Sequence, residues 1–459
     1  MSIIKSYMVP HPPLIIPDIG KGNERDIQKT IDSYEQIAKE IAKLKPETII
    51  ISTPHTTLYS DYFHITPGKV VTGDLSQFRA SNIKFEEQLD EELINEIDSI
   101  CKKNKFPGGK TESIPLDHGA MIPLYFIKKY YTDFKLVVIG LSGLPLIDNY
   151  QMGMFIKEAV NNQNKKVVYI ASGDLSHKLQ TYGPYGFAKE GPEYDKKIME
   201  VCSNANFKEL LYFEETFLDK AAECGHRSFT IMAGAFDGLN VEAKELSHED
   251  ITGVGYGICT FTPKEKNESR KLLYDYLNNQ KKLIDLKKQK EDCYIKLARQ
   301  TIEEYIRTGN TPKLTNNIDN ELLNNKSGVF VSIHKFGSLR GCIGTILPIH
   351  NCIAEEIIQN AISASSKDDR FPPITKEELD YLDIKVDVIK EPELILSKEE
   401  LDVKKYGVIV SSGYKRGLLL PDLDGVDTID QQISIAMKKG NITNNETITL
   451  ERFEVIRHS

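Results

Sequence analysis

Nowhere in the 459-residue chain do 18 or more apolar residues run together, so no segment reads as a membrane-spanning helix. A basic excess is also missing. Lys and Arg number 58 against 67 Asp and Glu, a net charge of -9 with a pI near 5.7, which leaves little to neutralise phosphates and argues against nucleic acid as a partner. The first ten residues carry one lysine and no long apolar stretch, unlike a secretory signal. The seven cysteines are scattered with no CxxC pair, so reduced thiols in a cytoplasmic protein are expected, not a disulfide framework. No internal repeat is detectable, and nothing in the chain specifies an oligomeric state.

What is present is a globular composition, 40% hydrophobic and 27% charged, in a chain too long for one ordinary core. Residues 3–9 read as a short strand running into His11-Pro12-Pro13. Apolar positions from Ile27 to Ile41 recur at helical spacing, and Pro46 closes that segment. Thr48 to Ser52 is a continuous β-branched run, the mark of a strand buried on both faces, and it ends in Thr53-Pro54-His55. A helix is expected around Glu86 to Lys103. Buried-strand runs follow at Leu136 to Leu141 and Val167 to Ala171, and a last strand at Gly253 to Thr262. Strands alternating with helices predict an α/β domain with a mostly parallel sheet over 1–262.

Residues 263–290 are rich in Lys, Asn, Gln and Leu and read as a charged, solvated helical connector. From 291 to 459 a helical face (Tyr294, Leu297, Ala298, Ile302, Tyr305, Ile306) precedes an alternating strand at 328–334 and another around Leu382 to Val388. A helix is expected at Thr428 to Lys439 and extended chain at Thr447 to Ile456, which makes this smaller half α+β.

Six of the ten histidines lie between His11 and His226. His11, His55 and His177 each fall just past an apolar strand, where open α/β sheets bind ligands because the loops converge there. His118 sits in a loop-like Pro115-Leu116-Asp117-His118-Gly119 stretch. His11 and His55 together are read as metal ligands, while His64, His248 and His350 are read as surface or capped residues. His177 is open to a second reading, in which Asp174 holds it at a helix start. Glu223-Cys224-Gly225-His226 offers a carboxylate, a thiolate and an imidazole within four residues. Two His plus a carboxylate would suit non-haem Fe(II), and three protein ligands plus water would suit zinc.

Pro10-His11-Pro12-Pro13, Pro54-His55, Asp117-His118-Gly119 and Ser172-Gly173-Asp174-Leu175-Ser176-His177 resemble the class III extradiol ring-cleavage dioxygenases and the related Memo proteins. The resemblance implies that His11 and His55 ligate the metal, that His177 is the acid/base, and that His118 contacts substrate or stands in the second sphere. The dioxygenases use a glutamate as third ligand and Memo proteins look to use a cysteine. Glu223 and Cys224 both stay open here, with Glu223 favoured if the ion is Fe(II). Fe(II) is the expected cofactor, zinc or copper the alternatives, and a small catechol-like molecule the expected substrate.

Gly328 to Val331, Leu339-Arg340-Gly341-Cys342-Ile343-Gly344, Asp369-Arg370-Phe371-Pro372-Pro373 and Gly417 to Pro421 are similar to the AMMECR family. The two modules on one chain resemble the AmmeMemoRadiSam set, which implies a radical-SAM protein as a partner. Arg340 could bind an anion or lower the Cys342 pKa, making Cys342 reactive. The alternative is a buried thiol in a tight bend, with His334 available as a base only if the two strands pair.

Overall fold

The computed structural model of the chain describes residues 3–314, 318–423 and 425–459, and it divides into two compact units between Tyr276 and Leu277. In the first unit the β-branched runs form the middle of an eight-stranded sheet. Its strands are β1 (Ile3–Val9), β2 (Thr48–Thr53), β3 (Phe63–Ile65), β6 (Gly108–Lys110), β7 (Lys135–Gly140), β8 (Val167–Ser172), β9 (Leu239–Glu249) and β10 (Tyr256–Lys266). A separate two-stranded ribbon is made by β4 (Val70–Leu75) and β5 (Ala80–Gln88). The sheet order is β6-β3-β7-β2-β8-β1-β10-β9, with β7, β2, β8 and β1 parallel and β10 and β9 antiparallel at one side.

Every residue of β2 and β8 is buried, as a parallel sheet covered on both faces requires. Two packed helix groups provide the cover. One pairs Gln28–Leu44 with His118–Ile127, and the other joins Glu91–Lys103, Leu146–Gln163 and His226–Gly234. Register is the feature that matters for function. Val9 lies opposite Ser172 and Ser52 opposite Ala171, so β1, β8 and β2 end level with one another.

The second unit carries two antiparallel sheets. The first has the order β12-β11-β13-β18, from β11 (Val329–Lys335), β12 (Ser338–Gly344), β13 (Leu382–Ile389) and β18 (Val455–His458). The helices Cys293–Thr308 and Ile353–Ser366 pack with its Val329, Val331 and Ile333 side. The second sheet has the order β14-β17-β15-β16, from β14 (Glu393–Ile395), β15 (Gly407–Ser412), β16 (Lys415–Leu419) and β17 (Thr449–Phe453), with the helix Ile429–Lys439 against it.

Three local expectations change. The helix expected from Glu86 begins at Glu91, because 80–88 pairs with 70–75 as a ribbon and Asp90 supplies the N-cap. The last strand of the first sheet runs on through Lys266, paired to β9, so 263–266 are sheet and the connector helix is Leu272–Lys288. Lys281 and Lys287 of that helix are engaged, at 2.6 Å, by Asp380 and Asp383. His64 is fully buried in β3, not at the surface, with its ring nitrogens on Thr111 and Thr66.

Asp90 also ties the sheet to its neighbours. Fully buried, it accepts from Thr48 Oγ1 at 2.5 Å, Lys165 Nζ at 2.7 Å and Leu93 N–H at 3.2 Å. Burial works against its charge, but Lys165, Thr48 and Leu93 outweigh that and hold the carboxyl below its ordinary value. Asp90→Ala is therefore expected to cost about 3 kcal/mol in urea unfolding of the first unit at pH 7. A depressed folded-state pKa stabilises above the unfolded value, so the gap between wild type and variant should close as pH falls through the acid range.

Candidate metal centre

The level ends of β1, β2 and β8 release three loops into one cleft. Within two residues, β1 leads to His11 and β2 to His55, while β8 opens into Gly173-Asp174-Leu175-Ser176-His177. Nε2 of His11 lies 2.9 Å from Nε2 of His55, 3.6 Å from Cys224 Sγ and 3.9 Å from Asp174 Oδ2. Two overlapping donor groups result, His11 with His55 and His118, and His11 with Asp174 and Cys224, each with its ligand atoms within 4.8 Å of one another.

Hydrogen bonding fixes which way His11 presents itself. Ser172 Oγ donates to Gly119 O at 2.6 Å and so spends its only proton there. At 2.9 Å from His11 Nδ1 it must then accept, which puts the proton on Nδ1 and leaves the Nε2 lone pair facing the cleft. Burial drives the His11 pKa well below the ordinary imidazole value, helped by the charges of His55 and His177. Burial lowers His55 too, and takes His118 down to about 3. All three rings are accordingly neutral at pH 7, the form that binds metal.

His177 follows the same logic with a different outcome. Its Nδ1 donates to Ala222 O at 2.5 Å, and its Nε2 points toward Asp174 Oδ2 at 3.9 Å. Asp174 Oδ1 is held at 2.7 Å by the backbone N–H of His11, so this carboxylate faces both rings. His118 opens the helix His118–Ile127, with Asp117 as N-cap. Its ring stacks on His55 at 4.0 Å and meets Phe78 edge-on at 5.3 Å. A cavity of about 820 Å³ opens from His55, Asp117 and His118 and is walled by Gly73, Gln77 and Phe85 of the 70–88 ribbon.

The 223–224 pair divides. Cys224 Sγ enters the donor group and accepts the Asp174 N–H at 3.2 Å. A Cβ at Gly173 would stand 2.1 Å from Gly225 Cα, so these two glycines let the 172–177 and 223–226 loops cross in contact. Glu223, the favoured third ligand in the sequence reading, turns away. Its carboxylate takes the His226 N–H at 2.5 Å at the start of the helix His226–Gly234, and burial pushes its pKa up to about 7. Burial, then the charges of Asp174 and Glu223, likewise push the Cys224 thiol up, so an ion bound there must displace a proton. Asp174 is the donor that sequence reasoning passed over, having given it only a helix-start role.

In the second unit Arg340 is committed elsewhere. It grips Glu378 at 3.0 and 3.1 Å and donates to the carbonyls of Pro372 and Pro373. Cys342 sits on β12 opposite Ser332 with Sγ 3.2 Å from Ser332 Oγ, and burial raises its pKa. The two strands do pair, which puts His334 beside Leu339.

A parallel α/β sheet with an imidazole, thiol and carboxylate cluster at the strand carboxyl ends defines a ligand-binding domain of the open-sheet type. Residues 5–259 match the family described as the catalytic LigB subunit of aromatic ring-opening dioxygenase, and residues 295–458 match AMMECR1. The chain belongs to the LigB family, with an AMMECR1 domain fused behind. A protein of Clostridium acetobutylicum is 41% identical over all of this chain and 99% of its own length. A Thermotoga maritima protein is 45% identical over 37% of this chain and 98% of its own. Among solved structures, an uncharacterized Pyrococcus horikoshii protein matches 36% of this chain and 88% of its own, with 32% identity and a TM-score of 0.34.

The donor chemistry fits a divalent ion at His11 Nε2, which both groups share, with His55 and His118 on one side and Asp174 and Cys224 on the other. On that geometry Ser172→Ala should weaken anaerobic Fe(II) or Zn(II) binding roughly 10–100-fold in a chelator competition, the usual effect of losing the partner that orients a ligating histidine. Glu223→Gln should leave the stoichiometry unchanged, whereas Cys224→Ser should abolish the proton released on metal uptake.

Proposed function

We propose that this protein is a non-haem Fe(II)-dependent, dioxygenase-like oxidoreductase acting on a small catechol-like aromatic. The observation that carries the reading is the 2.9 Å convergence of His11 Nε2 and His55 Nε2 beside His177, in a domain of the LigB family. His11, His55 and Cys224 would hold the ion, which when bound supplies Lewis acidity to a diol and a site for dioxygen.

The residues of the chain do the rest. His177, with Nδ1 committed to Ala222 O, carries its free lone pair on Nε2 and takes the substrate hydroxyl proton there. Asp174, 3.9 Å from that nitrogen, stabilises the imidazolium that forms. His118, neutral and stacked on His55, faces the cavity and orients the substrate ring, with Phe78 edge-on beside it. The free cysteines and the absence, among the described residues, of a helix able to cross a membrane support a cytoplasmic setting.

One observation favours a second reading. Cys224, not Glu223, joins the donor group, and a thiolate suits a softer ion and a metal-binding or redox role without ring cleavage, alongside a radical-SAM partner. Anaerobic loading with Fe(II), followed by oxygen uptake with a panel of catechols, separates the two. Uptake that disappears in His177→Gln while iron stays bound is the expected result. Stoichiometric iron with no uptake for any diol would remove the ring-cleavage proposal in favour of the second, and so would a wild type that binds no iron.

A further inference from the structure

The 174–178 loop is held from behind by a carboxylate on another element. Asp195, in the helix Glu190–Ser203, is 3% exposed and accepts the Ser176 N–H on Oδ1 at 2.8 Å. Its Oδ2 meets Nε2 of His248, on β9, at 3.1 Å. The backbone closes around this group, with Leu175 N–H donating to Gly255 O and Gly255 N–H to Ser176 O, each at 2.8 Å. A Cβ at Gly255 would stand 1.9 Å from Asp195 Oδ2, so the chain there has room only for glycine. Ser176 Oγ then donates to Ala221 O at 2.7 Å, one residue before the carbonyl that orients His177.

We propose that Asp195 is the positioning residue of the 174–178 loop and that His248, at the surface, holds Asp195 in place. His177 and Asp174 are thus aimed by an imidazole–carboxylate pair that reaches from solvent to the loop. This role rests on the reading of that loop as part of the functional site, but the coupling is measurable without metal or substrate.

The charged groups around His248 are mostly acidic. Asp195, Lys196 and Glu200 face it from the helix, and Glu245 and Asp250 from its own strand and the following turn, while β10 presents Gly257 opposite. The hydrogen bond and charge of Asp195, with Asp250 and Glu245, raise the His248 pKa above its ordinary value against the effect of burial. A raised folded-state pKa means the ion pair is complete below the ordinary imidazole range and is lost as pH rises through the raised value.

The test uses the full-length, metal-free chain with ¹⁵N-serine and ¹³Cε1-histidine. The Ser176 amide and the His177 ring are identified by their loss in Ser176→Ala and His177→Gln. In wild type the Ser176 amide shift, which has no titration of its own, should inflect at the midpoint of the His248 ring, and the His177 line should shift with it. His248→Gln should remove that inflection. Asp195→Asn keeps an acceptor for the Ser176 N–H but not the charge, so it should retain the low-pH line positions of Ser176 and His177 and lose the inflection. Asp195→Ala should displace both lines at every pH.

A wild-type Ser176 amide indifferent to His248 deprotonation overturns the proposal, as does a folded Asp195→Ala with both lines coincident with wild type. If Asp195→Ala does not fold, the comparison of wild type with His248→Gln decides. Absence of a metal centre would leave the result standing.

Discussion

The first unit depends on three parallel strands stopping at the same level. β1, β8 and β2 are neighbours in the sheet, and their register sets Val9 against Ser172 and Ser52 against Ala171. Side chains one or two residues beyond those ends are therefore delivered to one place, although His11, His55 and Asp174 are far apart in sequence. A slip of one residue in any strand would reverse every side chain on it and send its loop off the cleft. The buried β-branched runs make such a slip costly, so the packing that builds the core also fixes the site.

Above the strand ends the work is done by groups whose hydrogen-bonding capacity is used up. Ser172 can donate only once, and because Gly119 O takes that proton, His11 has a single tautomer available. Ala222 O does the same for His177. Burial favours neutral His11 and His118 rings and a protonated Cys224 thiol, which lowers the electrostatic cost of crowding these donors together. The glycine contact between 173 and 225 lets the thiol-bearing loop come close enough to take part.

In the second unit the conspicuous motif residues turn mostly to holding chain together. Arg340 clamps Glu378 and two proline carbonyls, and Asp368 takes the Cys342 N–H while Arg370 binds both Asp368 and the Cys342 carbonyl. These side chains occupy the outer edge of β12, the end strand of its sheet, where unpaired backbone groups would otherwise invite another strand.

Sequence alone determined the α/β character of the first half, the α+β character of the second, and the placement of His11, His55 and His177 past strand ends. Each of these follows from local periodicity and from where an apolar run stops. It did not reveal the 70–88 ribbon, whose half-exposed residues carry no long apolar pattern, nor the burial of His64. The choice between Glu223 and Cys224 also lay beyond it. Two adjacent residues leave the backbone in different directions, and only the crossing of the 172–177 and 223–226 loops decided that the sulfur faces the histidines while the carboxylate caps a helix. Asp174 was hidden for the same reason, since its partner His11 lies 163 residues away in the chain.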